Sequence, residues 1–301
     1  MEKLDPKGFM PDVDMKAYIN QLVNELRSDL EVYEQIKKLN LTVGEVKDNI
    51  ARLTDYRMDY NYCKNCPGIE KCNKEIPHLS IDLIKEGKFI NVTYKPCHKL
   101  MEKIRIDSHY LYDDFPQEWK TSSVKTLDLT EKRRPIIKEF LKILNNESSR
   151  WIYVIGNHKV GKSFLLVTLA NEFVNSNLGT VAIINAPQRI KELADLSYQN
   201  KDEFAQTMLA LSKVPLLVID DFGEEYKSEY IRDTIVIPLL SEREHQNLLT
   251  FFTSEFSISD IQQMYSIGQA SGAIRGKQLA RLLKDMATKE YDLSGVSLYR
   301  K

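Results

Sequence analysis

Eight consecutive residues, Gly156-Asn157-His158-Lys159-Val160-Gly161-Lys162-Ser163, fit the spacing G-x-x-x-x-G-K-[ST]. That pattern suits the triphosphate of a nucleotide. Its glycines let backbone N–H groups turn inward around the β-phosphate. Lys162 then supplies a point charge near the β- and γ-oxygens, and Ser163 offers a hydroxyl to Mg²⁺. A helix starting near Lys162 aims its positive N-terminal end at the same anion.

A second chemical signal is the paired carboxylate Asp220-Asp221 at the end of the apolar run Val214-Pro215-Leu216-Leu217-Val218-Ile219. Such a strand end is the Walker B arrangement. Asp220 is expected to hold the Mg²⁺ shell through water, and Asp221 to orient or polarise an attacking water.

The third signal is a run of thiols. Cys63 and Cys66 form a C-x-x-C pair, followed by Cys72, His78, and Cys97 beside His98. A C-x-x-C turn presents two thiolates to one tetrahedral zinc. Cys63, Cys66 and Cys97 are the chosen ligands, with His78 and Cys72 competing for the fourth position. A redox role for C-x-x-C would need a thioredoxin-like βαβ frame, which the surrounding pattern lacks. Bound zinc contributes on the order of 10 kcal/mol to folding, which so small a domain would need.

These residues require particular elements around them. Residues 151–155 are a continuous apolar, β-rich run, as in a strand covered on both faces. Residues 163–173 are apolar at helical spacing, so strand, loop and helix follow in the order a phosphate loop demands. Further strands are expected at 180–184, 214–221 and 248–254, and a last one at 296–299. Helices are expected at 136–144, from about 188, from 257, and from 275 to about 286. Alternating strands and helices predict an α/β fold with a parallel sheet.

The N-terminal third reads as helices between about residues 12 and 60. Met15, Ile19, Leu22, Val23 and Leu26 recur at three- and four-residue spacing, with Asp12 or Asp14 available as caps. A second helix is expected over 29–38. Thr42-Val43-Gly44-Glu45 is a capping box that starts a third, running to about residue 55. Residues 80–84 and 89–94 alternate as two strands of a hairpin, which returns Cys97 towards Cys72 and His78. From residue 100 to about 125 the pattern loosens into charge, proline and small polar residues, as linkers do. The Arg133-Arg134 pair reads as a solvated helix end.

The 301 residues have room for two domains. With 43% hydrophobic residues, 28% charged residues and a formal net charge of −1, the chain has no bulk attraction for nucleic acid or anionic membranes. No apolar run approaches the ~20 residues that span a bilayer. The start lacks the apolar core of a signal peptide. Together with four cysteines confined to residues 63–97, these features predict a reducing cytoplasm and a local metal site rather than disulfides.

The motifs GNHKVGKS, LLVIDDFG, FFTSEFS and LARLLKDMA, behind a cysteine-bearing N-terminal domain, resemble the DnaI family of primosomal helicase loaders. The C-terminal module is similar to the DnaC and IstB ATPases. The resemblance implies an AAA+ P-loop parallel sheet flanked by helices, lacking the usual helical lid, preceded by a small helical zinc-binding domain with a β-hairpin. Boundaries are expected at 1–106 for the helicase-interacting zinc domain, 107–130 for a linker and 131–301 for the ATPase.

It also implies a weak, switch-like ATPase using ATP and Mg²⁺, with Zn²⁺ in the first domain. Its partners would be the replicative hexameric helicase, single-stranded DNA and further copies of the ATPase module. The family's three-cysteine, one-histidine zinc set favours His78 as the fourth ligand. Thr253 or Ser254 falls where such modules sense the γ-phosphate, although Glu255 stands where the family has asparagine after the serine. Arg281 falls on the arginine-finger position, and Arg300 is a candidate for a second sensing arginine. Asp221 stands in place of the commoner glutamate as the catalytic carboxylate, and its shorter reach suits slow, switch-like hydrolysis.

Three other functions fit the sequence less well. An IstB-like transposition helper lacks the cysteine-bearing domain. A zinc-finger, ATP-responsive transcription regulator needs a basic recognition helix that none of the N-terminal helices provides. A small-molecule kinase needs an arginine-rich lid. Arg189 and Lys191 are candidate strand contacts on the helix after the second strand, or else part of a solvated helix face.

Overall fold

The apolar runs that predict buried strands form one sheet. The computed structural model describes residues 15–269 and 271–295, and divides into two units at Arg105/Ile106.

In the first unit, α1 (Met15–Ser28), α2 (Leu30–Lys38), α3 (Val43–Asp48) and α4 (Ile50–Lys64) precede a hairpin of β1 (Leu79–Glu86) and β2 (Phe89–Pro96). The chain then enters α5 (His98–Ser108), within which the division falls. Val23, Leu26, Val32, Ile36, Val46, Leu53 and Tyr56 meet Leu83 and Ile90 of the hairpin in one small core. Thr42 and Glu45 form the expected capping box. The expected single third helix is broken in two at Asn49. That side chain is buried, donates to Glu45 O at 2.8 Å and Lys88 O at 2.9 Å, and accepts from Ile90 N at 2.8 Å. Those bonds to the hairpin hold the break open. Asp12 and Asp14, the expected caps, lie outside the described residues.

The second unit contains, in chain order, β3 (Tyr110–Asp113), α6 (Arg134–Leu144), β4 (Trp151–Ile155), α7 (Lys162–Asn175), β5 (Val181–Asn185), α8 (Ala186–Gln199), α9 (Lys201–Lys213) and β6 (Leu216–Asp220). There follow α10 (Glu229–Ile231), a π-helical turn (Arg232–Val236), α11 (Ile237–His245), β7 (Leu249–Ser254), α12 (Ile258–Met264), α13 (Ser271–Met286) and β8 (Ala287–Asp292). The six-stranded sheet runs β3-β5-β6-β7-β4-β8, with every pairing parallel.

Side chains alternate across the sheet. Ile152, Val154, Val181, Ile183, Leu216, Val218 and Phe251 face the layer of α6 and α7. Trp151, Tyr153, Ala182, Ile184, Leu217, Ile219 and Phe252 face the layer containing α8, α9 and α11 to α13. Both faces are covered, so the strands read as unbroken apolar runs.

Three features differ from the sequence expectation. Residues 107–130 are part of the sheet unit. β3 adds an edge strand beside β5, and Ser122, Ser123 and Val124 bond to Thr168 and Glu172 of α7. Lys120, 2.8 Å from both Asp107 and Asp113, ties that segment together. The second is α9, which lies between the helix from 188 and the carboxylate strand. The third is β8, which pairs with β4 immediately after α13. The strand expected at 296–299 lies outside the described residues, as does Arg300.

Candidate nucleotide site

Parallel strands place their carboxyl ends at one edge, and ligands of such sheets bind there. β4 ends in the phosphate loop between β7 and β8, while β6 ends in Asp220 on the far side of β7. The loop, the carboxylates and residues 253–254 therefore share one end of the sheet.

The loop depends on unusual backbone. A Cβ at Gly156 would stand 2.9 Å from Ser294 N and 3.1 Å from Leu293 C, so only glycine fits against that chain segment. Gly161 starts α7 with φ 86, a left-handed conformation that glycine takes freely. Lys159 has φ 63 without that freedom. The Lys162 ammonium, 5% exposed, donates to Gly156 O at 2.8 Å and Asn157 O at 3.0 Å, which holds it in the mouth of the loop. His158 is exposed, with Nδ1 3.8 Å from Glu255 Oε1.

Thr253 organises the carboxylates. Its hydroxyl donates to Asp220 Oδ1 at 2.5 Å and accepts from the Asp221 N–H at 2.9 Å. Asn185, at the end of β5, donates from Nδ2 to Asp221 Oδ2 at 3.2 Å. Asp221 itself has φ 55, a left-handed conformation costing roughly 1 kcal/mol for a non-glycine residue. Burial first, and then the charge of Asp221, pushes the Asp220 carboxyl above the usual carboxylate range. Hydrogen bonds from Thr253 and Ser163, with the Lys162 charge, oppose that shift. A serine hydroxyl and an aspartate carboxylate at this end of the sheet are hard oxygen donors of the kind Mg²⁺ takes. Glu224 is also pushed up, by burial and then by the charges of Asp221 and Glu255.

The two sensor candidates are both fully buried, with their hydroxyls turned into the protein. Ser254 Oγ donates to Phe222 O at 2.6 Å and accepts from Phe256 N at 3.0 Å. Of the pair, Thr253 is the one that touches Asp220 and Asp221. Arg281 stands apart from this group. Its side chain is 85% exposed on α13, and its ion pair is with Asp285, one turn on, at 3.4 Å.

Arg189 is not available for a nucleic-acid strand. It holds Asp114 through two bonds, at 2.8 and 3.3 Å, and its guanidinium lies 4.3 Å from the Tyr112 ring centroid. Lys191 remains exposed. Arg133, expected at a solvated helix end, is buried and donates to Asp128 O at 3.1 Å.

Sequence reasoning missed two contributors. Asn185 reads as a helix cap, and it does accept from Gln188 N, but its amide also reaches Asp221. The other is a cavity of about 570 Å³ beside the phosphate loop. Leu127, Val160, Phe164 and Leu293 supply apolar lining, with Asp128 and Thr130 among the polar groups. A third of that lining, Thr126, Leu127, Asp128 and Thr130, comes from the segment expected as a linker.

In the first unit, Cys63, Cys66, Cys72, His78 and Cys97 line one cavity of about 10 Å³. The His78 N–H donates to Cys72 Sγ at 3.5 Å, which lowers that thiol below its usual range, and the Leu100 N–H donates to Cys97 Sγ at 3.4 Å. His78 Nε2 lies 3.0 Å from Ile69 O. As the donor there, it leaves Nδ1 as the acceptor nitrogen, the arrangement of a metal-ligating histidine. Donor chemistry thus suits zinc, but among the described residues no three His, Cys, Asp or Glu side chains converge closely enough to hold a metal ion. Nor is any helix among them long and apolar enough to cross a membrane.

No family model matches the chain. The replicative helicase loader DnaI of Bacillus subtilis (strain 168) is 24% identical over 289 residues, which is 92% of this chain and 91% of that protein. A crystal structure of DnaI superposes with a TM-score of 0.54 at 25% identity, over 65% of this chain and 100% of the other. A candidate primosome component from Streptococcus pyogenes serotype M3 shares the fold, with a TM-score of 0.53 at 21% identity over 66% of this chain and 100% of its own. In sequence over nearly its whole length, and in fold over about two thirds of it, the chain resembles the replicative helicase loader DnaI.

Proposed function

We propose that this protein is an ATP-controlled loader, which binds the replicative hexameric helicase and delivers it onto single-stranded DNA during replication initiation and restart. One observation carries the reading. Lys162, Ser163, Asp220 and Asp221 meet at one end of a parallel sheet, in a chain similar to DnaI over 92% of its length.

The Gly156–Ser163 backbone would hold the triphosphate of ATP, and the cavity beside Val160 and Phe164 would take its base. Lys162 exchanges its two carbonyl partners for phosphate oxygens. Ser163 and Asp220 are the residues that would hold Mg²⁺, which would neutralise charge on the phosphates. Asp221, aimed by Asn185 and by Thr253, orients the water that attacks the γ-phosphate. Aspartate reaches less far than glutamate, so turnover is slow and acts as a switch. Thr253 transmits the state of the γ-phosphate through Asp220. Arg281 serves the nucleotide of a neighbouring copy, and hydrolysis is tied to self-association.

The first unit grips the helicase. Cys63, Cys66, Cys97 and His78, which line one small cavity, are the residues that would hold Zn²⁺ if they drew together around it, and the metal would then add to the stability of this unit.

The full-length protein, mixed with the replicative helicase and single-stranded DNA, tests this function. ATP is expected to support a ternary complex and helicase transfer to the strand. Failure to retain helicase with any nucleotide would exclude a loader.

A further inference from the structure

Glu225 lies on the loop that follows Asp221 and is 2% exposed. Its carboxylate holds two elements together. Oε2 accepts the Gly223 N–H at 2.8 Å, and Oε1 accepts the phenol of Tyr265, the residue that caps α12. Tyr265 is fully buried, and its ring lies 6.2 Å from that of Phe222 at 16°. Burial, followed by the charge of Glu225, keeps the phenol protonated well above its ordinary range. Arg232, 1% exposed, grips the same corner by donating to Tyr265 O at 3.1 Å and Ile267 O at 2.6 Å.

The peptide between is tightly confined. Gly223 has φ 97, and a Cβ there would stand 2.7 Å from Ile261 Cδ1 and 2.8 Å from Phe256 Cδ2. Lys227 Nζ donates to Gly223 O, so both peptide groups of this glycine are bound, its N–H by a carboxylate and its C=O by an ammonium.

A buried carboxylate is an expensive way to fill space, because desolvating it costs several kcal/mol unless strong bonds offset it. Here the bonds fall on the loop that sets a strained residue. Left-handed non-glycine backbone persists only where its surroundings over-determine it. From Asp221 onward, consecutive groups are fixed: Asp221 N–H by Thr253 Oγ1 at 2.9 Å, Phe222 N–H by Thr253 O at 2.8 Å and Phe222 O by Ser254 Oγ at 2.6 Å. Gly223 N–H follows, and Glu225 is its acceptor.

We propose that Glu225 is a positioning residue for Asp221: by pinning the Gly223 peptide to the end of α12, it holds the Asp221 carboxylate in its left-handed, water-orienting pose. The proposal rests on the ATPase reading above. It requires Glu225 to act on turnover without touching nucleotide.

Two variants of the full-length protein test it, Glu225→Gln and Tyr265→Phe, each read for ATP turnover, nucleotide Kd and hydrogen exchange of residues 220–226. Glu225→Gln is expected to lower kcat by about tenfold or more while Kd stays within about twofold. Exchange should rise in 220–226 and remain unchanged in β4 and α7. Tyr265→Phe, which keeps the carboxylate and nearly all the volume, should show a smaller loss with the same split. It also carries the test if Glu225→Gln does not fold. Equal losses in binding and turnover, or unaltered exchange over 220–226, would overturn the positioning role. An unsubstituted protein that binds ATP but shows no turnover removes the ATPase reading instead, while the exchange result still stands for or against Glu225.

Discussion

Asn185 and Asp221 join the ends of two adjacent strands: the Asn185 amide stands 3.2 Å from Asp221 Oδ2, while its own oxygen accepts the Gln188 N–H at 3.3 Å. One side chain therefore starts α8 and aims the carboxylate proposed to orient water. Two substitutions separate these tasks. Asn185→Ala removes both, and is expected to lower stability by about 1 kcal/mol and turnover by roughly tenfold, with nucleotide affinity unchanged. Asn185→Asp keeps the cap but sets two carboxylates together, so turnover should fall at least as far while stability recovers. Steady-state kinetics with thermal melts decide it. Normal turnover in both variants would leave Asn185 only its capping role.

Lys162 offers a sharper test of the phosphate loop. Its ammonium is buried and spans two carbonyls of the loop. Lys162→Ala is expected to weaken ATP binding by tenfold or more, on the order of 1.4 kcal/mol or above. The first unit should melt as before. Titration with a fluorescent ATP analogue measures the change, and an unaltered affinity would reject the assignment.

The fourth zinc ligand can be decided by substitutions that respect the backbone. His78 has φ 66, a conformation asparagine tolerates, so His78→Asn removes the imidazole with little added strain. With three cysteines and His78 as the set, His78→Asn should lower zinc content more than Cys72→Ala. The reverse order returns the position to Cys72. A strong chelator should also melt the first unit of the native protein. Metal analysis finding no zinc, or a circular dichroism signal indifferent to chelator, would remove the metal altogether.

Arg243 predicts a purely structural loss. Fully buried, it donates to Thr250 Oγ1 at 2.9 Å and to Leu211 O and Val214 O at 2.8 Å, and also to Leu249 O. These bonds tie the end of α9 to the start of β7. Arg243→Ala would orphan all four acceptors and is expected to cost about 3 kcal/mol or more. Urea unfolding measures it, and a loss under about 1 kcal/mol would show that water replaces the guanidinium.

Central elements were legible because their physics is local. β4, β5 and β6 are covered on both faces, so each is an apolar run with no polar side to hide it. Edge strands lack that signature. β8 alternates buried Ala287 and Tyr291 with exposed Lys289, and β3 is a four-residue strand with no fully buried position. Each is stabilised by the single strand it joins, at a distance no local pattern records. The same holds for the site. Lys162 and Asp220 announce themselves by motif, whereas the bonds from Thr253 and Asn185 to Asp221 span 32 and 36 residues. Arg189 shows the converse, a basic residue on an apparently exposed helix whose partner, Asp114, lies 75 residues away.

Arg281 separates a loader that works as an assembly from a solitary ATPase. Its side chain is 85% exposed, and its ion pair with Asp285 is a one-turn surface contact at 3.4 Å. Such a pair contributes little, about 0.3–0.5 kcal/mol, and yields readily to a better anion. An arginine offered outward from a late helix suits the γ-phosphate of a neighbouring copy, where it would neutralise charge developing on the transferred phosphoryl group. Arginine fingers contribute about 10³–10⁵ in rate, and a slow ATPase should show less. Arg281→Ala is therefore expected to keep ATP affinity, yet lose ATP-dependent self-association and most hydrolysis stimulated by single-stranded DNA. If the side chain merely solvates its helix, substitution costs almost nothing. Mixing decides between these outcomes. Arg281→Ala brings an intact phosphate loop and Lys162→Ala an intact arginine, so mixed assemblies regain active interfaces only when the arginine works in trans. Two folded, associating variants that recover no turnover at any ratio would count against that role.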